Sequence, residues 1–139
     1  GRLDADTDGL LLLTNDGELA HRLAHPSYEI SKTYVAEVEG EVSRTLGRRL
    51  RDGVELEDGI AKADSFTVLQ AGRSSSLVQM VLHEGRNRIV RRMLDAVGHP
   101  VIRLTRTSIG PVRLGQLKPG ETREISGTDL GELMKVVGL

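Results

Sequence analysis

The chain opens with acidic residues at alternating positions, in the segment GRLDADTDGLLLLTNDG. Their spacing repeats the first half of an EF-hand calcium loop, with Asp4, Asp6, Asp8 and Gly9 in the matching positions. An EF-hand also needs a bidentate glutamate at its twelfth position, and counting from Asp4 that position is Asn15. Four leucines follow the glycine, which is typical of a buried strand and not of a coordination loop. The pattern therefore disfavours calcium.

Two interpretations of these acids remain, namely a solvated loop and a carboxylate that performs chemistry. Asp6 and Asp8 fit a solvated loop rich in turn formers, and no role is assigned to them. Asp4 follows Arg2 and Leu3 and precedes the leucine run, so it can lie at the edge of a cleft. A carboxylate held there needs a neighbouring arginine to keep it ionised. The spacing alone therefore leaves two interpretations of Asp4, a catalytic carboxylate or a part of the same solvated loop.

The composition bounds the class of protein. The chain has 139 residues, a net charge of −1 and no cysteine, which excludes disulfides, thiolate metal sites and a cysteine nucleophile. No apolar run approaches the roughly 20 residues that cross a bilayer, and we expect a cytoplasmic protein. Seven arginines and only two acids lie between His83 and Arg113, which is a local balance of +5. This segment predicts either a face that binds a polyanion or a solvated helix surface.

The order of the elements that must position these residues predicts an α+β fold with a mainly antiparallel sheet, in one domain over residues 1–139. Strands are predicted in GLLLLTN, KTYVAEVEG, IAKADSFTVLQ, SLVQMVLHEG and PVIRLTRTSIG, and a short hairpin in PVRLGQLKPGETREIS. Helices are predicted in ELAHRLAH, SRTLGRRLRDG with Ser43 as N-cap, NRIVRRMLDAVG and TDLGELMKVVG.

Three of these segments resemble the motifs of bacterial ribosomal RNA pseudouridine synthases of the RsuA/RluB family, and they occur in family order. They are GRLDADTDGLLLLTNDG, KTYVAEVEG and the stretch from EGRNRIVRRM to GETREI. The resemblance runs from Gly1 to about Ile125 and is closer to the RluB side, which implies large-subunit rRNA. It implies an enzyme that flips a uridine out of folded RNA, breaks its C1′–N1 bond and rejoins the base through C5. Neither a metal nor a cofactor is implied.

The resemblance also implies roles for individual residues. Asp4 corresponds to the essential aspartate, acting as a nucleophile or by stabilising charge on the sugar. Arg91 corresponds to the arginine that pairs with it. Tyr34 corresponds to the tyrosine that packs on the uracil, and Arg2 to the arginine that fills the space left by the flipped base. The further RNA-binding residues are expected to contact phosphates, with a plain surface role as the alternative for each, and are Lys32, Arg86, Arg88 and Arg92.

Family members usually begin with a small S4-type RNA-binding domain and an opening catalytic strand, which we do not find in this sequence. The chain is therefore expected to be the catalytic part of a longer protein, monomeric, with ribosomal RNA as its partner. The alternative is a module that binds RNA without catalysis. A smaller departure is Ile89, where many relatives carry a polar residue.

Overall fold

The computed structural model describes residues 1–139 and contains eight strands and four helices. The helices are α1 (Gly17–Ala24), α2 (Leu46–Asp52), α3 (Ile89–Ala96) and α4 (Gly127–Val136), with a 3₁₀ turn over Pro26–Tyr28. The strands are β1 (Asp8–Gly9), β2 (Lys32–Glu39), β3 (Val54–Leu56), β4 (Gly59–Ala61), β5 (Ser65–Ala71), β6 (Ser75–Leu82), β7 (Val101–Ile109) and β8 (Val112–Arg113).

The main sheet has the strand order β1-β7-β2-β6-β5, and β8 is added to β7. All its pairings are antiparallel except that of β1 with β7, which is parallel. Strands β3 and β4 form a separate antiparallel pair. The predicted α+β class with a mainly antiparallel sheet is confirmed, as is the antiparallel hairpin of β5 and β6.

Two apolar clusters hold the elements together. The larger has 17 buried residues and joins one face of β2 and β6 to α2 and α3. Alternation explains this face, because Ala36 and Val38 on β2 and Val78, Met80 and Leu82 on β6 all point inward. The smaller cluster has 7 buried residues and packs α1 and α4 against the ends of β7 and β8. The larger cluster thereby fixes α3 against the sheet, and α3 follows the arginine-rich loop of residues 84–88.

The predicted strand in GLLLLTN was wrong beyond its first residue, because β1 covers only Asp8–Gly9. The Leu10 amide still donates to the Arg106 carbonyl at 2.9 Å. The Leu10 carbonyl, however, accepts hydrogen bonds from the Arg106 side chain at 2.9 and 2.7 Å instead of from a neighbouring strand. The ladder therefore ends here, and the following leucines run in irregular chain, with Leu13 80% exposed.

Three smaller predictions also needed correction. The strand predicted over 60–70 is split, because the Ala63 amide bonds to the Leu50 carbonyl and turns the chain between β4 and β5. The hairpin predicted over 111–126 is absent, because β8 pairs with β7 and the rest forms turns. The N-cap of α2 is Thr45, and the Ser43 hydroxyl lies 3.1 Å from the Thr45 hydroxyl.

No helix in the structure combines the length and the apolar character needed to cross a membrane.

Candidate active site

A cavity of about 600 Å³ lies where the opening segment, the start of β2 and the loop of residues 84–88 meet. Its volume is in the range of about 300–1,000 Å³ that is typical of small-molecule sites. Its wall includes six of the eight predicted site residues, namely Arg2, Asp4, Lys32, Tyr34, Arg86 and Arg88. Arg91 and Arg92 are not part of the wall. The fold thus brings together residues that lie more than 80 positions apart in the sequence.

Arg88 supplies the guanidinium group nearest to the Asp4 carboxylate. Arg88 Nη1 lies 3.9 Å from Asp4 Oδ2, within ion-pair range but too far for a hydrogen bond. Arg88 directly precedes α3 and has a left-handed backbone, with φ 55° and ψ 31°. This conformation is uncommon for a residue with a side chain. Arg88 adopts this backbone conformation at the point where the loop of residues 84–88 meets the opening segment.

Asp6 is the main partner of Arg88. Two parallel hydrogen bonds of 2.9 Å run from Arg88 Nη1 and Nη2 to the two carboxylate oxygens of Asp6. Arg91 Nε lies 3.6 Å from Asp6 Oδ1. The hydrogen bond from Arg88 and the charges of both arginines lower the pKa of Asp6 to about 2. The sequence assigned Asp6 no role, whereas the structure makes it the acid that both arginines contact.

The predicted ion pair between Asp4 and Arg91 was wrong. Arg91 donates through Nη2 to the Asp6 carbonyl and, at 3.3 Å, to the Thr7 hydroxyl. Its side chain is only 14% exposed, and its Nε has no hydrogen-bond partner. The physical reason is the start of α3: Arg88 leaves the loop towards Asp4, while Arg91 lies one turn further on, against the backbone of the opening segment.

Arg86 and Arg92 converge on the hairpin formed by β3 and β4. Asp58 lies in the turn of this hairpin. It accepts hydrogen bonds from Arg86 at 3.1 Å and from Arg92 at 2.8 Å. Arg86 also forms a two-pronged pair with Glu84, at 2.7 and 2.9 Å, and this bond raises its pKa. The hydrogen bond from Arg92 lowers the pKa of Asp58. Both arginines were predicted as phosphate contacts. In the structure Arg86 holds the hairpin to the loop of residues 84–88, and Arg92 holds it to α3.

Arg106 is a site residue that sequence reasoning missed. It is 7% exposed and donates to the Leu10 carbonyl and, at 3.4 Å, to the Arg2 carbonyl. Gly9 permits this docking, because a Cβ there would lie 2.2 Å from the Arg106 carbonyl oxygen. Alternation in β7 contained the signal: Arg106 shares a strand face with the buried Leu104, and a buried arginine requires hydrogen-bond acceptors.

Lys32 and Tyr34 reach the cavity from the beginning of β2. Burial lowers the pKa of the Lys32 ammonium, and the positive charge of Arg106 adds to that shift. Tyr34 is half-buried against the larger apolar cluster and also lines the cavity. The site thus combines a carboxylate, an aromatic ring and several cations, a set suited to a polar, anionic ligand with a planar group.

Residues 1–96 match the model of a protein family that is described as "RNA pseudouridylate synthase". That span includes all eight predicted site residues. The chain belongs to the RNA pseudouridylate synthase family. Arg106 and the tail beyond it lie outside the matched span.

Two relatives illustrate the similarity to other synthases. An uncharacterised RNA pseudouridine synthase from Mycobacterium tuberculosis is 59% identical over 139 residues, which is all of this chain and 55% of that protein. The ribosomal large subunit pseudouridine synthase B of Bacillus subtilis is 48% identical over 136 residues, 96% of this chain and 55% of that protein. The chain spans about half the length of the curated relatives it matches.

The crystal structure of a pseudouridylate synthase superposes on the chain with a TM-score of 0.83. The two sequences are 32% identical, and the match covers 96% of this chain and 57% of that one. The α+β architecture described above is therefore a pseudouridine synthase fold.

Proposed function

We propose that this chain contains the catalytic centre of an enzyme that converts uridine to pseudouridine in ribosomal RNA, with Asp4 as the essential carboxylate and no cofactor. The observation that carries the proposal is the position of Asp4. It lies in the wall of the cavity, 3.9 Å from a guanidinium nitrogen of Arg88, with Tyr34 in the same wall. Arg88 thus places a positive charge beside the carboxylate to which the proposal gives the essential role.

The reaction is an isomerisation, so the base must leave and return within one site. The C1′–N1 bond breaks, the uracil turns, C5 bonds to C1′, and the hydrogen on C5 is lost as N1 gains a proton. Asp4 adds to an electron-poor centre, or stabilises positive charge on the sugar while the bond is broken. Either role uses a carboxylate without a metal.

A flipped uridine explains the other residues of the wall. Tyr34 offers a face on which the uracil stacks, an interaction worth about 1–3 kcal/mol per base. This offsets part of the unstacking cost, which is a few kcal/mol. Arg2 fills the vacated space in the RNA. Lys32 contacts phosphate, as does Arg88 through donors that Asp6 leaves free. Arg86 and Arg92 contact phosphate only through the N–H donors that Asp58 and Glu84 leave unused.

Large-subunit rRNA is the substrate we favour over small-subunit rRNA. The proposal is supported by the name of the Bacillus subtilis relative, a large-subunit synthase that is 48% identical. We expect the enzyme to act as a monomer in the cytoplasm.

The test uses unmodified rRNA labelled with tritium at uracil C5, because joining C5 to C1′ releases that hydrogen. It is run on the 139-residue chain and on the product of the complete reading frame that contains it. We expect release from wild type and none from Asp4→Asn. The matched control is Asp8→Asn, which removes an exposed carboxylate paired with Arg103 at 3.0 Å, and we expect its release to equal that of wild type.

The alternative function is RNA binding without catalysis, favoured by the arginine-rich loop. No tritium release from either protein, with rRNA binding retained, would overturn the enzyme proposal and support this alternative. Release that persists in Asp4→Asn would instead reject Asp4 as the catalytic residue.

A further inference from the structure

Helix α2 and the turn before it carry a second group of arginines, which the proposed function does not use. They are Arg44, Arg48, Arg49 and Arg51, and no acid lies between the first and the last of them. All four residues are exposed. None of them takes part in an ion pair. Their positive charge is therefore open to a partner in solution.

This distinguishes α2 from the loop before α3. In that loop Arg86 is engaged by Asp58 and Arg88 by Asp6, and Arg92 on α3 also contacts Asp58. The charges of these arginines are partly neutralised within the chain. The uncommitted guanidinium groups of α2 lie outside the segment in which the sequence predicted a basic face.

Three of the arginines form a row along one side of α2. Arg44, Arg48 and Arg51 follow one another at intervals of four and three residues, the spacing that places side chains on one side of a helix. The turn before α2 continues the helical path, because the Leu46 amide donates to the Ser43 carbonyl at 3.3 Å. Arg49 lies outside this row.

The apolar side of α2 fixes the direction in which the row points. Leu46 is 4% exposed and Leu50 is fully buried, and both belong to the larger apolar cluster. A helix anchored in this way cannot turn its arginines towards the sheet without exposing both leucines. The row is therefore held in place before any partner arrives.

The row lies on the same face of the main sheet as the cavity. Phe66 on β5 is in register with Met80 on β6, and Met80 is in register with Tyr34 on β2. Phe66 and Tyr34 both pack against the larger cluster, and their strands are about 10 Å apart. A Cβ on Gly47 would lie 3.3 Å from Phe66 Cδ1 and 2.9 Å from Arg51 Nη1. Arg51 therefore lies beside the strand that is two strands away from Tyr34.

We propose that Arg44, Arg48 and Arg51 form a second RNA contact, which binds the phosphate backbone of the folded RNA that flanks the target uridine. The inference rests on the proposed function and deepens it. The cavity receives the flipped nucleotide, so the rest of the RNA lies outside it and extends over the same face. Guanidinium groups bind phosphate through paired N–H donors and position the RNA without reading its sequence.

The first experiment removes the charge of the row from the product of the complete reading frame. The row variant is Arg44→Gln, Arg48→Gln and Arg51→Gln together. Its matched control removes the same charge from three exposed residues outside the cavity wall, by Arg73→Gln, Lys118→Gln and Lys135→Gln. Affinity for unmodified large-subunit rRNA is measured as a function of salt concentration.

We expect the row variant to reduce the log–log salt slope by about 2–3, because each phosphate contact contributes about 0.7–0.9. Its affinity should fall at least about tenfold at about 0.15 M salt. The control should keep the wild-type slope. Equal losses in the two variants would show an effect of net charge alone and would overturn the proposal.

A lysine variant separates charge from structure. Arg44→Lys, Arg48→Lys and Arg51→Lys together keep three positive charges, and we expect them to keep the wild-type slope. A slope as low as that of the glutamine variant would mean that the row acts through the folding of α2, which would reject the phosphate contact.

The second experiment uses the wild-type protein and needs no variant to fold. Phenylglyoxal modifies accessible arginines, and mass spectrometry measures the modification of each one with and without bound rRNA. We expect rRNA to protect Arg48 and Arg51 but not Arg73. Equal modification of Arg48 and Arg51 in both states would contradict the proposal.

Tritium release shows whether the contact and the enzyme proposal fail separately. The row variant should need about tenfold more rRNA for half-maximal release and should reach the wild-type rate at saturation, because the lost contact is equal before and during the reaction. No release from wild type, with the slope difference intact, would overturn the enzyme proposal and leave the RNA contact of α2. Release with an unchanged slope and no protection would overturn the contact alone and point to an acidic protein as the partner of α2.

Discussion

At the scale of single residues, each acid of the opening segment is distinguished by the arginine it meets. Asp6 takes the two-pronged pair with Arg88, Asp8 pairs with Arg103 at the surface, and Asp4 has only a distant charge. Sequence identified Asp4 through its motif but not its arginine. The choice between arginines three positions apart depends on where α3 begins, which the periodicity of the sequence does not fix.

The pairing of Asp6 can be measured by titration. Its pKa is about 2, below the usual 3.8, because Arg88 donates to its charged form. We expect Arg88→Gln to raise the pKa of Asp6 towards 3.8, measured by NMR of the carboxyl carbon. Arg103→Gln, which removes the partner of Asp8, is the control and should leave the pKa of Asp6 unchanged.

The same shift predicts the sign of a pH effect on stability. A carboxyl with a depressed pKa in the folded chain stabilises it above the unfolded pKa of 3.8, and this stabilisation is lost as the pH falls towards 2. In Arg88→Gln this part of the acid dependence should become weaker in thermal unfolding curves, because only the charge of Arg91 then remains beside Asp6. An unchanged curve would contradict the pairing.

Arg106 can be tested by a change that keeps an unbranched side chain and removes its hydrogen-bond donors. Arg106→Met leaves the Leu10 carbonyl without its two donors, and an orphaned buried acceptor costs about 1–3 kcal/mol. We expect the free energy of unfolding, measured by urea denaturation, to fall by that amount.

The matched control for Arg106 lies on the same strand. Arg103→Met removes a 71% exposed arginine from a surface ion pair, and such pairs contribute about 0–1 kcal/mol. An equal loss of unfolding free energy in the two variants would show that the hydrogen bonds of Arg106 to the Leu10 carbonyl add nothing to stability.

At the scale of elements, the site depends on three pieces that the sheet brings together: the opening segment through β1, the start of β2, and the loop before α3. Alternating apolar residues predicted β2, β5, β6 and β7, and a 3.6-residue period predicted α3. The leucine run after Gly9 led to the wrong prediction of a strand. A short apolar run does not show whether a neighbouring strand is available to pair with it.

Gly9 is the position at which the pairing of β1 is most sensitive. Its φ is +116°, and a Cβ would lie 2.2 Å from the Arg106 carbonyl oxygen. Gly9→Ala should destabilise the docked segment by at least about 1 kcal/mol, because a positive φ alone costs a residue with a Cβ about 1–2 kcal/mol. Faster hydrogen exchange at the Leu10 amide, which bonds to the Arg106 carbonyl, is the measurement.

Gly17 provides the control for this change. It begins α1, and an added Cβ would meet no atom within 4 Å. Gly17→Ala should leave Leu10 exchange unchanged and should stabilise the helix by at most about 1 kcal/mol. Similar exchange in both variants would contradict the argument from close approach.

At the scale of the whole molecule, a net charge of −1 conceals a separation of charge. Cations collect around the cavity, and most of the acids near them are already paired with arginines. A polyanion can therefore be attracted to one region of a nearly neutral chain. The sequence predicted this basic segment, but not how many of its arginines are engaged by Asp6, Asp58 and Glu84, since those contacts join distant parts of the chain.

Salt dependence tests this arrangement. RNA affinity should fall linearly in log–log plots against salt, and Lys32→Gln should reduce the slope by about 0.7–0.9, the share of one phosphate contact. Arg73→Gln, in the exposed turn between β5 and β6, is the control and should leave the slope unchanged. Equal slopes in wild type and Lys32→Gln would exclude a phosphate contact for Lys32.

The parallel pairing of β1 with β7 has a consequence for heating. Only Asp8 and Gly9 are in register with β7, whereas β2 is paired along its whole length on one side and over most of it on the other. A segment with so short a backbone ladder, held otherwise by arginine side chains, opens at a lower free energy than the body of the sheet. The stretch that carries Asp4 should therefore melt first. Warming should therefore abolish activity reversibly while the rest of the sheet is still folded. The midpoint temperature of activity loss should lie below the midpoint temperature of unfolding.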